Sequence, residues 1–329
     1  MLLLSRSDIR QLYVMKDCLP DVEQVFEENA KGNVTTPIRT AIGHEKYGGT
    51  TLYMPSYVES LDYVAAKVIT IFPDNHKEGL PALQSVILLT ETKTGQHVAM
   101  MDATYLTVLR TGASSGVATK YLARPEAKNC AVLGCGAQAI GQVQAVMEVR
   151  ALEEVVLYNR TRERAIQFSQ ALRELYPDWQ GEIRIVDDPN QAVETADIIM
   201  CSTKATEPLF DGARLRPGAH INAIGAFQPH MREVDLTTLR RSHKIVVDTV
   251  EGAQHEAGDL IIPAERGEWD FSHIYAEIGE IVAGTRPARE SAEEITLYKS
   301  VGIAYLDTAV ARSVYEKARK HGIGTDFCL

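Results

Sequence analysis

The stretch Ala131-Val132-Leu133-Gly134-Cys135-Gly136-Ala137-Gln138-Ala139 constrains the fold of this 329-residue chain more than any other. It places a G-x-G-x-x-A loop directly after a short apolar strand and directly before a helix-forming run. Gly134 permits the tight turn. Gly136 lets the backbone approach a pyrophosphate with no side chain in the way, and Ala139 lets the helix pack close to a sheet. The helix N-terminus then offers free N–H groups and the positive end of its dipole to phosphates. A bare G-x-G-x-x-A is a weak signal; its place between strand and helix makes it specific. Gly134, Gly136, Ala137 and Gln138 are therefore expected to hold a dinucleotide.

The rest of the second half repeats that rhythm. Apolar runs at Cys130 to Leu133, Val155 to Tyr158, Ile183 to Val186, Ile198 to Ser202, His220 to Ile224 and Lys244 to Asp248 read as buried strands. Gln138 to Arg150 and Arg162 to Leu175 read as helices between them. Short apolar runs spaced by helices predict an α/β domain with a doubly wound parallel sheet of Rossmann type. The end of the second strand selects the cofactor, because NAD-binding folds often place an acid there for the ribose 2′-OH. Here the segment is Tyr158-Asn159-Arg160-Thr161, with no carboxylate to repel a 2′-phosphate. Arg160 can pair with that phosphate, and Asn159 and Thr161 can donate hydrogen bonds to it. The expectation is NADP(H) in preference to NAD(H), with NAD(H) also admitted.

The first half has a different pattern. Ser7-Asp8-Ile9-Arg10 opens a helix with Ser7 or Asp8 as its cap, and Asp21 to Ala30 reads as a second helix. Thr50 to Met54, Tyr63 to Phe72 and Ser85 to Thr90 alternate and are rich in β-branched residues, with Gly and Pro clusters between them. They predict an antiparallel sheet. A long helix of small residues follows from Ala103 to Ala123, and Pro125 stops it. The domain junction is placed there. Glu293 to Lys320 reads as a final helix, with Ile295, Tyr298, Ile303, Leu306, Val310 and Val314 as its apolar stripe.

Composition narrows the function classes. A formal net charge of −10, with no Lys/Arg-rich run, gives nucleic acid no basic face. The five cysteines include no C-x-x-C pair, which argues against a disulfide framework and a structural zinc site. Cys130 and Cys201 are expected as small buried residues beside strands. His255-Glu256-Ala257-Gly258-Asp259 starts like a zinc-protease motif, but Asp259 stands where the second His belongs, so it reads as a loop and no metal is expected. The apolar start Met1 to Leu4 is too brief for a signal peptide, and no run approaches the about 20 residues of a membrane helix. A cytoplasmic location is expected.

Four cations of the first half stand out by context: Arg39 after Pro37-Ile38, Lys67 inside Val64-Ala65-Ala66-Lys67-Val68-Ile69, Arg110 on the small-residue helix, and Lys120 further along it. Two Arg forks could clamp one carboxylate. A Lys inside an apolar strand suffers a lowered pKa and could move a proton near neutral pH. From spacing alone, each of them reads better as a surface or ion-paired cation, and the stretch by itself does not identify a site.

Several longer stretches are specific together: Leu52-Tyr53-Met54-Pro55-Ser56-Tyr57, Leu80-Pro81-Ala82-Leu83-Gln84-Ser85, Met101-Asp102-Ala103-Thr104, Leu109-Arg110-Thr111-Gly112-Ala113, Asn222-Ala223-Ile224-Gly225 and Lys299-Ser300-Val301-Gly302. With the glycine loop and Asn159-Arg160-Thr161, they resemble the ornithine cyclodeaminase/mu-crystallin family over nearly the full chain. That resemblance implies a discontinuous α+β substrate-binding and dimerisation domain, residues 1–122 plus 296–329, and a dinucleotide domain, residues 123–295. It implies Arg39 and Arg110 as carboxylate-binding residues and Lys67 as the active-site lysine. It adds Thr111, Ser202 and Thr203 to the cofactor-binding residues, and it puts Val301 and Gly302 near the nicotinamide. It further implies that the last helix returns to the first domain and that the protein forms a homodimer.

Departures from the family pattern narrow the chemistry. Cyclodeaminases of this family carry an acid where Phe227 stands, two residues after Gly225, and another where Leu52 stands. A phenyl ring cannot pair with a second amine. The resemblance therefore implies a reductase or dehydrogenase acting on the imine of a small α-keto or cyclic imino acid to give an L-amino acid, with Phe227 in the substrate pocket. Ornithine cyclodeaminase, recycling bound NAD, and a non-catalytic NADPH- and ligand-binding protein of crystallin type are the alternatives.

Overall fold

The computed structural model describes residues Met1 to Cys328. The chain divides into two compact units: Met1–Arg110 together with the segment from Ile303 onward, and Thr111–Gly302.

The first unit is built on a mixed sheet. Its strands are β1 (Leu2–Leu4), β2 (Val34–Thr35), β3 (Thr40–His44), β4 (Gly49–Val58), β5 (Tyr63–Ile71), β6 (Leu83–Glu91) and β7 (His97–Asp102), joined at one edge by Thr325–Asp326. The order runs from Thr325–Asp326 through β1, β7, β6, β5 and β4 to β2, with β3 also on β4. The sheet is not purely antiparallel as the alternation suggested, because the brief apolar start of the chain lies parallel to β7 as β1. Successive side chains point to opposite faces. On β5 this buries Ala65, Lys67 and Ile69 together. The register sets Met54, Lys67, Ile87 and Met101 in one row across four strands, all buried.

The helix Ala304–His321 packs on β4 and β5, and the helix Met15–Ala30 packs on it in turn. Met15–Ala30 begins earlier than the sequence suggested and contains Pro20. Pro20 removes one backbone bond but does not end the helix, since Met15, Cys18, Val22, Val25 and Phe26 are all buried along its length. The short helix Arg6–Leu12 is capped by Ser5 rather than Ser7 or Asp8; Asp8 closes the capping box by accepting the Ser5 N–H.

The second unit holds β8 (Asn129–Leu133), β9 (Glu154–Tyr158), β10 (Glu182–Ile185), β11 (Ile198–Cys201), β12 (His220–Ala223), β13 (Lys244–Val247), β14 (Ile274–Glu277) and β15 (Thr296–Lys299). Every pairing is parallel, in the order β10-β9-β8-β11-β12-β15-β13-β14. This is the doubly wound sheet expected from the apolar runs, with Cys130 and Cys201 fully buried in β8 and β11. The helical reading of Glu293 to Lys320 is corrected at its start. Thr296–Lys299 is a buried strand hydrogen-bonded between β12 and β13, and the helix begins only at Ala304. Ile295 and Tyr298 have apolar spacing that suits either period, and the open slot between two strands decides it. Gly302, at φ 84°, breaks the chain between strand and helix.

His255 to Asp259 is not a loop either. It spans the end of the helix Val250–Glu256, capped by Thr249, and the start of the helix Gly258–Glu265. A Cβ on Gly258 would stand 2.1 Å from the Met231 carbonyl oxygen, so only glycine allows that approach. The helix Thr104–Leu122 ends in cationic caps: Arg150 donates to the Thr119, Lys120 and Ala123 carbonyls, and Arg289 to Leu122. Among the described residues, no helix is long and apolar enough to cross a membrane, and no group of His, Cys, Asp and Glu could hold a metal ion.

Candidate active site

In the first unit the sheet and two helices gather charge in the core. Lys67 sits mid-row on β5, so the pleat points it inward under the helix Ala304–His321. Its Nζ donates to Asp307 Oδ2 at 2.6 Å, and both side chains are 1% exposed. Asp307 Oδ1 lies 3.4 Å from Arg110 Nε, and neither of those two atoms has a hydrogen bond of its own. One carboxylate thus bridges two cations out of water.

Burial and the neighbouring Arg110 charge lower the Lys67 pKa to about 8; Asp307 opposes that shift and Arg39 adds to it. Arg39 is half-buried on the loop between β2 and β3. The loop exists because β3 pairs with β4 as far as Tyr53 and β2 pairs with it from Tyr57, leaving Pro55 between them. Proline has no N–H to offer a further ladder bond. Of the four cations singled out in the sequence, Arg39 and Arg110 both act on Lys67. Lys120 is exposed, with its ammonium over the Tyr121 ring.

In the second unit the functional groups are mostly backbone. Gly134 takes φ 98°, and a Cβ there would meet Thr203 Cγ2 at 2.6 Å and the Ser202 carbonyl oxygen at 3.0 Å. Ser202 Oγ donates to Gly134 O at 3.0 Å. Cys135 N donates to Asn159 Oδ1 at 3.0 Å, while Asn159 Nδ2 donates to Thr161 O at 2.8 Å. The carboxyl ends of β8, β9 and β11 are therefore tied to one another. Burial pushes the Cys135 thiol up to about 12, so it is no nucleophile at neutral pH.

The cradle fits a dinucleotide on two counts. No protein atom lies within 4 Å of the place a Gly136 Cβ would occupy, so packing within the protein does not explain the glycine there. Gln138 Oε1, in the first turn of the helix Ala137–Val149, is buried without a partner. Thr111 is half-buried at the start of this unit, and Arg160 and Thr161 are exposed at the end of β9. Val301 N and Gly302 N both donate to Asp248 Oδ2, at 2.8 and 2.9 Å, and Ser300 Oγ donates to it at 2.8 Å.

Three carboxylates of these constellations escaped the sequence analysis: Asp307, Asp248 and Glu233, the last being the acceptor for Thr203 N. Asp307 had a signal. It is charged yet lies among the buried positions Leu306, Val310 and Val314 of an apolar helix stripe. Phe227 is half-buried against the core of its unit, and Leu52 packs on Met54, Ile69 and Ala304. Neither position supplies an acid.

The sequence model of the ornithine cyclodeaminase/mu-crystallin family matches residues 1–322. Delta(1)-pyrroline-2-carboxylate reductase of Bacillus cereus is 40% identical over 326 residues, covering 98% of each chain. The structure of Thermococcus litoralis Delta(1)-pyrroline-2-carboxylate reductase in complex with NADH and L-proline superposes with a TM-score of 0.94 at 45% identity, over 99% of this chain and 100% of that one. An archaeal alanine dehydrogenase dimer with bound NAD superposes with a TM-score of 0.92 at 34% identity, over 99% of this chain and 98% of that one.

Proposed function

The chain belongs to the ornithine cyclodeaminase/mu-crystallin family, and from that membership we propose that it reduces the C=N bond of Delta(1)-pyrroline-2-carboxylate to L-proline with a nicotinamide dinucleotide. In coarser terms it is an NAD(H)-binding oxidoreductase acting on CH–NH groups, which turns an imine into an amino acid. The observation that carries the finer reading is the buried set Lys67, Asp307 and Arg110, with Arg39 acting on Lys67. Three cations and one carboxylate leave room for one more anion, and an α-imino acid brings a carboxylate.

Arg39 and Arg110 hold that carboxylate. Lys67, protonated below about pH 8, gives its proton to the imine nitrogen. Asp307 holds Nζ in place. The nicotinamide, when bound, supplies the hydride to the imine carbon. Gly134, Gly136 and the N–H groups that open the helix Ala137–Val149 cradle its pyrophosphate, with Ala137, Gln138, Ser202 and Thr203 around them. Asp248 holds Val301 and Gly302 in one turn, which would support the nicotinamide. With Phe227 and Leu52 in place of acids, a second amine finds no partner, which favours a cyclic or small imine over a diamine. NADPH is the better cofactor, because Arg160 is exposed at the end of β9 and the segment Tyr158-Asn159-Arg160-Thr161 contains no acid.

A homodimer is part of the same reading. The sheet face of the first unit opposite Lys67 exposes Tyr53, Val86 and Met100 at 44%, 43% and 38%, apolar surface suited to a second copy.

The test is dinucleotide oxidation followed with Delta(1)-pyrroline-2-carboxylate, and with pyruvate plus methylamine, using NADPH and NADH in parallel. The cyclic imine is expected to give L-proline with the higher kcat/KM, and NADPH to outperform NADH. Release of ammonia and proline from ornithine without imine reduction would overturn the function. Equal use of both cofactors would overturn the preference alone.

A further inference from the structure

A buried charge cluster in the second unit takes no part in the reaction above. Glu233, Asp259 and Lys299 are each 0% exposed. Glu233 Oε1 accepts from Thr203 N at 2.5 Å and from Thr203 Oγ1 at 2.8 Å. Its Oε2 accepts from Gly225 N at 2.7 Å and Ala226 N at 3.1 Å. One carboxylate therefore joins the turn after β11 to the turn after β12. The approach is close enough that a Cβ on Gly225 would lie 2.3 Å from Thr203 N and 2.4 Å from Glu233 Oε1.

The support continues on both sides. Asp259 Oδ1 accepts from Glu233 N and Val234 N at 2.6 and 2.9 Å, and Asp259 Oδ2 accepts from Lys299 Nζ at 2.7 Å, out of β15. Above, Thr203 packs against Gly134, and Ser202 donates to Gly134 O. A continuous path of hydrogen bonds and contacts thus runs from Lys299 through Asp259 and Glu233 to the glycine turn.

We propose that Glu233 is the positioning residue of the dinucleotide site, its carboxylate holding the turns after β11 and β12 in the one arrangement that leaves the Gly134 turn open to the cofactor. The inference rests on the dinucleotide reading of the glycine loop but not on the identity of the imine. The charges around Glu233 explain why a carboxylate can stay there. Lys299 is paired with Asp259, so Glu233 depends on N–H and O–H donors for its solvation. Burial raises its pKa to about 6; Lys299 opposes the shift and Asp259 adds to it, while Cys201 lies close by as a buried thiol. A proton taken up below that pH turns one acceptor oxygen into a donor facing N–H groups, and one of the two turns is released.

Fluorescence titration of the full-length protein with NADH and NADPH, from about pH 5 to about pH 8, tests this with Glu233→Gln and Glu233→Asp. Glu233→Gln is expected to raise Kd about tenfold at neutral pH, since its amide NH₂ opposes backbone donors. The wild type should lose affinity as the pH falls through about 6, and Glu233→Gln should lose that dependence. Glu233→Asp keeps the charge but is too short to reach both turns. It should bind with intermediate Kd and keep the acid limb, so it carries the test if Glu233→Gln fails to fold. Affinity within about twofold of wild type in the folded variants, or an unchanged acid limb in Glu233→Gln, would overturn the proposal. A wild type that binds neither dinucleotide would overturn the dinucleotide reading itself.

Discussion

The cationic cluster of the first unit and the glycine turn of the second are built by opposite means. The cluster uses buried charged side chains: Lys67, in a row with Met54, Ile87 and Met101, and Arg110 and Asp307 from two helices. The cradle uses neutral backbone N–H groups at a helix start, held in shape by carboxylates beneath it. The difference suits the tasks we propose for them. A proton donor must be able to change charge, so burial and neighbouring charges set its pKa. A pyrophosphate keeps its charge, so fixed dipoles suffice and cost no reorganisation when the ligand arrives. The cluster is therefore sensitive to one methylene or one charge, and the cradle to one Cβ.

Four substitutions can break or sharpen this contrast. The largest effect belongs to Lys67→Ala. Removing the proton donor is expected to lower kcat/KM for the imine by a hundred- to ten-thousand-fold, on the order of a general-acid contribution. The Kd of the dinucleotide, read by fluorescence, should stay near that of the wild type. A matching loss of dinucleotide affinity would show that the two regions do not act separately.

Next comes Gly136→Val against Gly134→Ala. The first meets no protein atom within 4 Å at Cβ, so it should leave Tm nearly unchanged while raising dinucleotide Kd about tenfold. The second forces a side chain onto φ 98° and against Thr203, so it should lower Tm as well. Normal binding by the folded Gly136→Val protein would show that the cradle is not where the pyrophosphate lies.

The smallest effect is a displacement along the pH axis. Asp307 opposes the lowering of the Lys67 pKa, so Asp307→Asn lowers it further. With protonated Lys67 as the donor, kcat/KM for reduction falls as pH rises through about 8 in the wild type. The variant should begin that fall at lower pH and lose severalfold in rate at neutrality. A limb that does not move would assign it to another group.

Legibility differed between the regions for the same reason that their chemistry differs. The glycine loop is local: turn, close approach and helix start lie within Gly134 to Ala139, and each demands a particular residue type. The strands β8, β9, β11, β12 and β13 were legible because strands buried on both faces are apolar throughout. β15 was not, since Ile295-Thr296-Leu297-Tyr298 has no neighbour in sequence to show that a slot stands open between β12 and β13. Arg39, Lys67 and Arg110 could be singled out as unusual, but only the resemblance to a known family assigned them to one site.

By itself the sequence determined the doubly wound sheet, the glycine turn between β8 and its helix and the residue types available for acid–base work, because each is encoded by residues close in the chain or by a repeated period. Only the tertiary structure decided that Asp307 meets Lys67 across 240 residues, and that Glu233 joins the turns after β11 and β12. Pairings of that kind depend on how strands and helices close around a core. The energy of a buried charge is settled by whatever partner that closure brings within reach.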